Sequence, residues 1–98
     1  MAVVFVTITP LGTGTPSVSR YVAGVERVLR DSGLTHELTA MGTIIEGPLD
    51  EVLGVVRKMH EHPFTQGAVR VSTLVKIDDR RDKEHTIAGK MKSVREKL

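Results

Sequence analysis

The spacing of apolar residues alternates between strand-like and helix-like along the chain. Val3 to Thr9 is β-branched and apolar, is bounded by Pro10, Gly12 and Gly14, and predicts a strand. A loop rich in Gly and Thr follows, and Thr15-Pro16 has the form of an N-cap with proline at the first helical position. Val18, Val22, Val25 and Leu29 then fall at i, i+4, i+7 and i+11, one face of a helix that ends before Gly33. Leu34 to Ala40 predicts a second strand, Met41-Gly42 a tight connection, and Thr43 to Glu46 its hairpin partner. Gly47-Pro48 breaks the chain. Leu49, Val52, Leu53, Val56 and Met59 form a second helical stripe, which Pro63 is expected to stop. Val69 to Asp78 alternates, with Val69, Val71, Val75 and Ile77 on one side and Arg70, Ser72 and Lys76 on the other. Ile87, Met91, Val94 and Leu98 repeat the helical spacing in a final helix.

The order is β-α-β-β-α-β with an extra C-terminal helix. This is the α+β, ferredoxin-like pattern, a four-stranded antiparallel sheet with two helices on one face. Its usual strand order puts the first and third strands in the centre. The residues agree, because Val3 to Val6 and Ile44-Ile45 are apolar at both parities whereas the last strand alternates. A strand apolar on both sides needs cover on both sides. The two crossover helices protect one face, so the other must meet the C-terminal helix, a second subunit, or both.

Ninety-eight residues form one domain, 1–98, with no repeat or linker. A composition of 40% hydrophobic and 27% charged residues is ordinary for a globular chain. The net charge of +2 does not imply nucleic acid, although residues 76–98 hold eight bases against five acids. Absence of cysteine excludes disulfides, thiolate zinc sites and a cysteine nucleophile. The first residues lack the basic segment and long apolar run of a signal peptide, and no stretch approaches the ~20 apolar residues of a membrane span. A cytoplasmic protein with no membrane partner is expected.

Several constellations carry candidate chemistry. Gly12, Thr13, Gly14 and Thr15 join a strand to a helix N-terminus, where backbone N–H groups and hydroxyls cradle anions or simply cap the helix. The loop is neither a Walker loop nor a dinucleotide fingerprint. Thr39, Met41, Thr43 and Glu46 place hydroxyls, a thioether and a carboxylate on one hairpin, a set that suits a polar heterocycle as well as an ordinary turn. His60-Glu61-His62 has the wrong spacing to share a helix face, so no metal is expected. In Asp78-Asp79-Arg80-Arg81-Asp82, an aspartate is expected to cap the last helix and the arginines to form ion pairs. Lys90, Lys92, Arg95 and Lys97 read as a solvated helix face, and the sheet lacks the aromatic residues of an RNA-binding relative.

Three strings resemble one family: Ile8-Thr9-Pro10-Leu11-Gly12-Thr13-Gly14-Thr15-Pro16-Ser17-Val18-Ser19, Glu37-Leu38-Thr39-Ala40-Met41-Gly42-Thr43-Ile44-Ile45-Glu46-Gly47, and Lys76-Ile77-Asp78-Asp79-Arg80-Arg81-Asp82. They look like the small thiamine-binding ferredoxin-like proteins, and the likeness runs from end to end. Ala40 departs from it, standing where proline is expected. The resemblance implies homodimers or homotetramers built through the sheets, and thiamine or its hydroxymethylpyrimidine portion as ligand rather than cofactor. It implies Ser17, Thr39, Met41, Thr43 and Glu46 as ligand-binding residues. The hydroxyls would bond the aminopyrimidine, Glu46 a ring nitrogen or the thiazolium charge, and Met41 a ring face. No catalytic constellation is visible, so the expectation is a binding protein and not an enzyme. An oligomeric regulator responding to an anion or phosphate is the alternative, resting on the Gly-Thr loop and the basic tail.

Overall fold

The computed structural model describes residues 1–14 and 18–98. The elements are β1 (Ala2–Pro10), α1 (Ser19–Ser32), β2 (His36–Leu38), β3 (Thr43–Gly47), α2 (Leu49–Thr65), β4 (Val71–Asp79) and α3 (Ile87–Lys97). The four strands form one sheet in the order β2-β3-β1-β4, with every neighbouring pair antiparallel. The fold is therefore the ferredoxin-like one, with β1 and β3 in the centre as the two-sided apolar pattern requires.

Strand parity divides the sheet. Val4 and Val6 of β1 and Ile45 of β3 are buried with Val25 and Leu29 of α1 and Val52, Val56 and Met59 of α2. Val3 and Phe5 alternate with them and, with Ile44, border a groove of about 490 Å³ that Ile87 and Met91 of α3 also line. That second face is only partly covered. None of the described residues of α3 is buried, and Met91 and Val94 remain 47% and 54% exposed.

Four elements depart from the sequence expectation by two residues or more, two of them for visible reasons. Strand β2 spans three residues, not seven, although Thr35 still accepts a bond from the Glu46 N–H at 3.0 Å. Its far end stops because the Thr39 hydroxyl turns the chain. Helix α2 runs through Pro63 to Thr65. A proline in a last turn forfeits one backbone bond, and here its carbonyl receives the N–H groups of Gln66 and Ala68 at 3.0 and 3.1 Å. Strand β4 begins at Val71, two residues late, although the Leu11 N–H still reaches the Arg70 carbonyl at 2.8 Å in the register of the β1–β4 pair; Val69 is exposed. Helix α1 is described from Ser19; the expected cap at Thr15-Pro16 lies outside the described residues. At the other end Gly33 closes α1 with φ 75°, a left-handed position natural to glycine, and its N–H reaches the Arg30 carbonyl at 3.2 Å.

Helix α3 starts at Thr86, whose hydroxyl accepts the Gly89 N–H at 2.9 Å. Neither Asp79 nor Asp82 caps it. Each pairs instead with an arginine two residues away, Asp79 with Arg81 and Asp82 with Arg80, so the expected ion pairs lie within this short segment. No helix among the described residues is long and apolar enough to cross a membrane.

Candidate functional site

The β2–β3 turn is built by one side chain. The Thr39 hydroxyl donates to the Gly42 carbonyl at 2.7 Å and accepts from the N–H groups of Met41 and Gly42, both at 3.2 Å. Gly42 lets the turn close on β1: a Cβ there would stand 2.6 Å from the Phe5 ring and 2.8 Å from the Thr7 methyl. Thr39 is thus occupied in shaping the turn. Its hydroxyl has no hydrogen-bonding capacity left over for a ligand.

This turn closes one side of a cavity of about 300 Å³ between the sheet and α1. Val6 and Ile8 of β1 form the floor, Val18, Val22, Val25 and Glu26 the helical wall, Met59 comes from α2, and Leu38 to Thr43 form the hairpin side. The volume lies at the small end of ligand pockets, suited to one or two rings. Thr43 is 6% exposed, and its hydroxyl makes no hydrogen bond to the described residues. Met41 stands at the mouth, 81% exposed, where an unbranched thioether can fold over a flat ring.

The structure brings Thr39, Met41 and Thr43 to one cavity and places Glu46 elsewhere. Glu46 stands three positions after Thr43 on β3, so they face opposite sides of the sheet. The Glu46 Oε2 accepts the Ile87 N–H at 2.9 Å, holding the first turn of α3 against the open face. Ser17 and Thr15 lie outside the described residues. Gly12, Thr13 and Gly14 do not line the cavity.

The carboxylate at this cavity is Glu26, which the motif reading passed over. It is the one ionisable residue of the described lining, and its Oε2 is buried with no hydrogen-bond partner among the described residues. A signal existed: Val18, Val22 and Glu26 stand at i, i+4 and i+8, so Glu26 continues an apolar row of α1.

Several of the remaining candidates have structural partners, although the buried His62 Nε2 has no hydrogen bond to the described residues. His60 shares a hydrogen bond of 2.6 Å with the Thr73 hydroxyl and sets its ring against the edge of Phe64. His62 packs against Gly24, where a Cβ would come within 2.5 Å of its Nε2. No group of three metal-ligating side chains occurs among the described residues. Of the basic tail, Lys90 bonds Asp78 at 2.6 Å and Lys92 approaches Glu96 at 3.9 Å. Lys90 holds the Asp78 carboxyl below the usual carboxylate range through that bond, and Arg81 does the same to Asp79.

Comparison with known proteins places the chain in a family. A family model described as thiamine-binding protein matches residues 4–95. The chain is 46% identical over 102 residues to the protein YqgV of Bacillus subtilis, covering 100% of this chain and 98% of that one. Among solved structures, MJ1052 of Methanocaldococcus jannaschii superposes with a TM-score of 0.88 and 41% identity, covering 97% of this chain and 96% of that one. TM0486 of Thermotoga maritima shares the fold at a TM-score of 0.77 and 19% identity, over 95% of this chain and 97% of that one. Matched over nearly its whole length in sequence and in fold, the chain belongs to the thiamine-binding protein family.

Proposed function

We propose that the protein binds thiamine or its hydroxymethylpyrimidine portion, without chemical conversion, in the cavity between α1 and the β2–β3 hairpin. One observation carries the reading. The cavity combines apolar walls, the hydroxyl of Thr43, which bonds none of the described residues, and a single carboxylate, the three kinds of group an aminopyrimidine needs. Val6, Val22 and Met59 provide the flat apolar surfaces, Thr43 the hydroxyl, and Met41 an adjustable cover. Thr39 acts one step back by fixing the turn that holds Thr43 and Met41 in place. The N-terminus of α1, beside Val18, carries positive partial charge and disfavours a cation. In thiamine the pyrimidine therefore lies toward that end and the thiazolium away from it.

Calorimetric titration tests this. The parent should bind thiamine or hydroxymethylpyrimidine well below millimolar concentration. Thr43→Val removes a hydroxyl that a buried ligand would use, a loss of about 1–3 kcal/mol, and should weaken binding roughly 5- to 150-fold. A parent that binds neither compound contradicts the ligand; equal affinities in parent and variant contradict the placement.

The same reading includes assembly of identical copies in the cytoplasm. Its support is the partly covered sheet face of Val3, Phe5 and Ile44 beside the exposed apolar stripe of α3. A second copy offers the same apolar surface and covers both.

A further inference from the structure

We infer that Glu26 makes the cavity beside α1 a charge filter, admitting a flat ring that bears positive charge or N–H donors and excluding the phosphate ester of the same ring. The inference deepens the binding reading above and rests on it for the identity of the ring.

Glu26 presents an unmet acceptor to the cavity. The Glu26 Oε2 is shielded from solvent, and among the described residues it has no hydrogen-bond partner and no ion pair reaches the side chain. Glu26 as a whole is half-buried, but an ionised carboxylate only accepts, so a shielded oxygen without a donor is costly to leave as it is. Helix geometry holds it there, because Glu26 stands one turn after Val22, which with Val25 lines the same cavity. Its missing donor must come from whatever occupies the cavity. An amidine-like aminopyrimidine edge or a thiazolium ring supplies N–H groups or positive charge.

The rest of the wall explains the exclusion. The other described lining residues are apolar or carry only hydroxyl groups, so no lysine, arginine or histidine offsets a second negative charge. Gly12, Thr13 and Gly14, the described part of the anion-type loop, are not in the wall. A phosphate monoester brings a charge of about −1.5 to −2 at neutral pH. Beside the shielded Glu26 Oε2, where the effective dielectric is below that of water, the two negative charges repel, and the lining hydroxyls carry no charge to offset them.

Calorimetry with thiamine and thiamine monophosphate, on the parent and on Glu26→Gln, tests the filter. The parent should bind the monophosphate at least roughly tenfold more weakly, the scale of one charge-assisted contact. Glu26→Gln, which keeps the shape, should lose roughly tenfold in thiamine affinity and bind the two compounds within about threefold. Equal affinities in the parent, or an unchanged ratio in the variant, overturn the inference. A second measurement needs neither the variant nor thiamine: amide NMR shifts on adding millimolar benzamidine or benzoate to the parent. Benzamidine should move Val22, Glu26 and Thr43, and benzoate should not. Equal responses overturn the filter even if thiamine binds. Discrimination between the probes with no binding of thiamine or hydroxymethylpyrimidine upholds the filter and overturns the ligand's identity alone.

Discussion

Asp82 receives a two-pronged bond from Arg80, Nε to Oδ1 at 2.6 Å and Nη2 to Oδ2 at 2.9 Å, on an exposed part of the chain. That hydrogen bond leads the causes that hold the Asp82 carboxyl down to about 2. A carboxylate whose folded pKa lies below its unfolded value favours the fold above the unfolded value, and loses that contribution as the pH falls through the folded one. The window here runs from about 4 down to about 2. NMR titration should show Asp82 changing near the lower figure, and Arg80→Gln should return it toward the ordinary range; a midpoint indifferent to Arg80 contradicts the pairing. The same residue-by-residue reading shows what the sequence could convey about the site. Thr43 and Glu46 look like partners in a motif, yet their odd separation along a strand already assigns them to opposite faces. Glu26 was legible only through helical periodicity, as a carboxylate set among valines.

At the scale of elements, α3 is held mainly by polar bonds at its start. Glu46 accepts from Ile87, Lys90 bonds Asp78, and the Thr86 hydroxyl caps the first turn. Truncating Glu46 to Ala leaves the Ile87 N–H without its charged acceptor, a change of about 1–3 kcal/mol. Hydrogen exchange at Ile87 to Met91 should therefore quicken at least about fivefold in that variant, while the β1 amides stay as they were. Unchanged exchange in α3 means that its docking rests on something other than this bond. Element types were readable because apolar period alone distinguishes β1 from α1. Ends were harder, since they depend on single bonds: the Thr39 hydroxyl ends β2, and two N–H groups on the Pro63 carbonyl let α2 continue past its proline.

Over the whole molecule, the two faces of the sheet have different tasks. One packs against α1 and α2 and opens into the cavity beside the hairpin; the other keeps Val3, Phe5 and Ile44 next to a helix with no buried residue. Light scattering at micromolar concentration should return a multiple of 10.7 kDa, and a clean monomer contradicts the proposed assembly. The central claim, that the ligand enters between α1 and the hairpin, is tested most directly by mapping amide NMR shifts as hydroxymethylpyrimidine is added. The account predicts changes concentrated at Val22, Glu26 and the turn from Thr39 to Thr43, saturating with the calorimetric affinity. Changes confined to Phe5, Ile44 and Met91, on the opposite face of the sheet, contradict it.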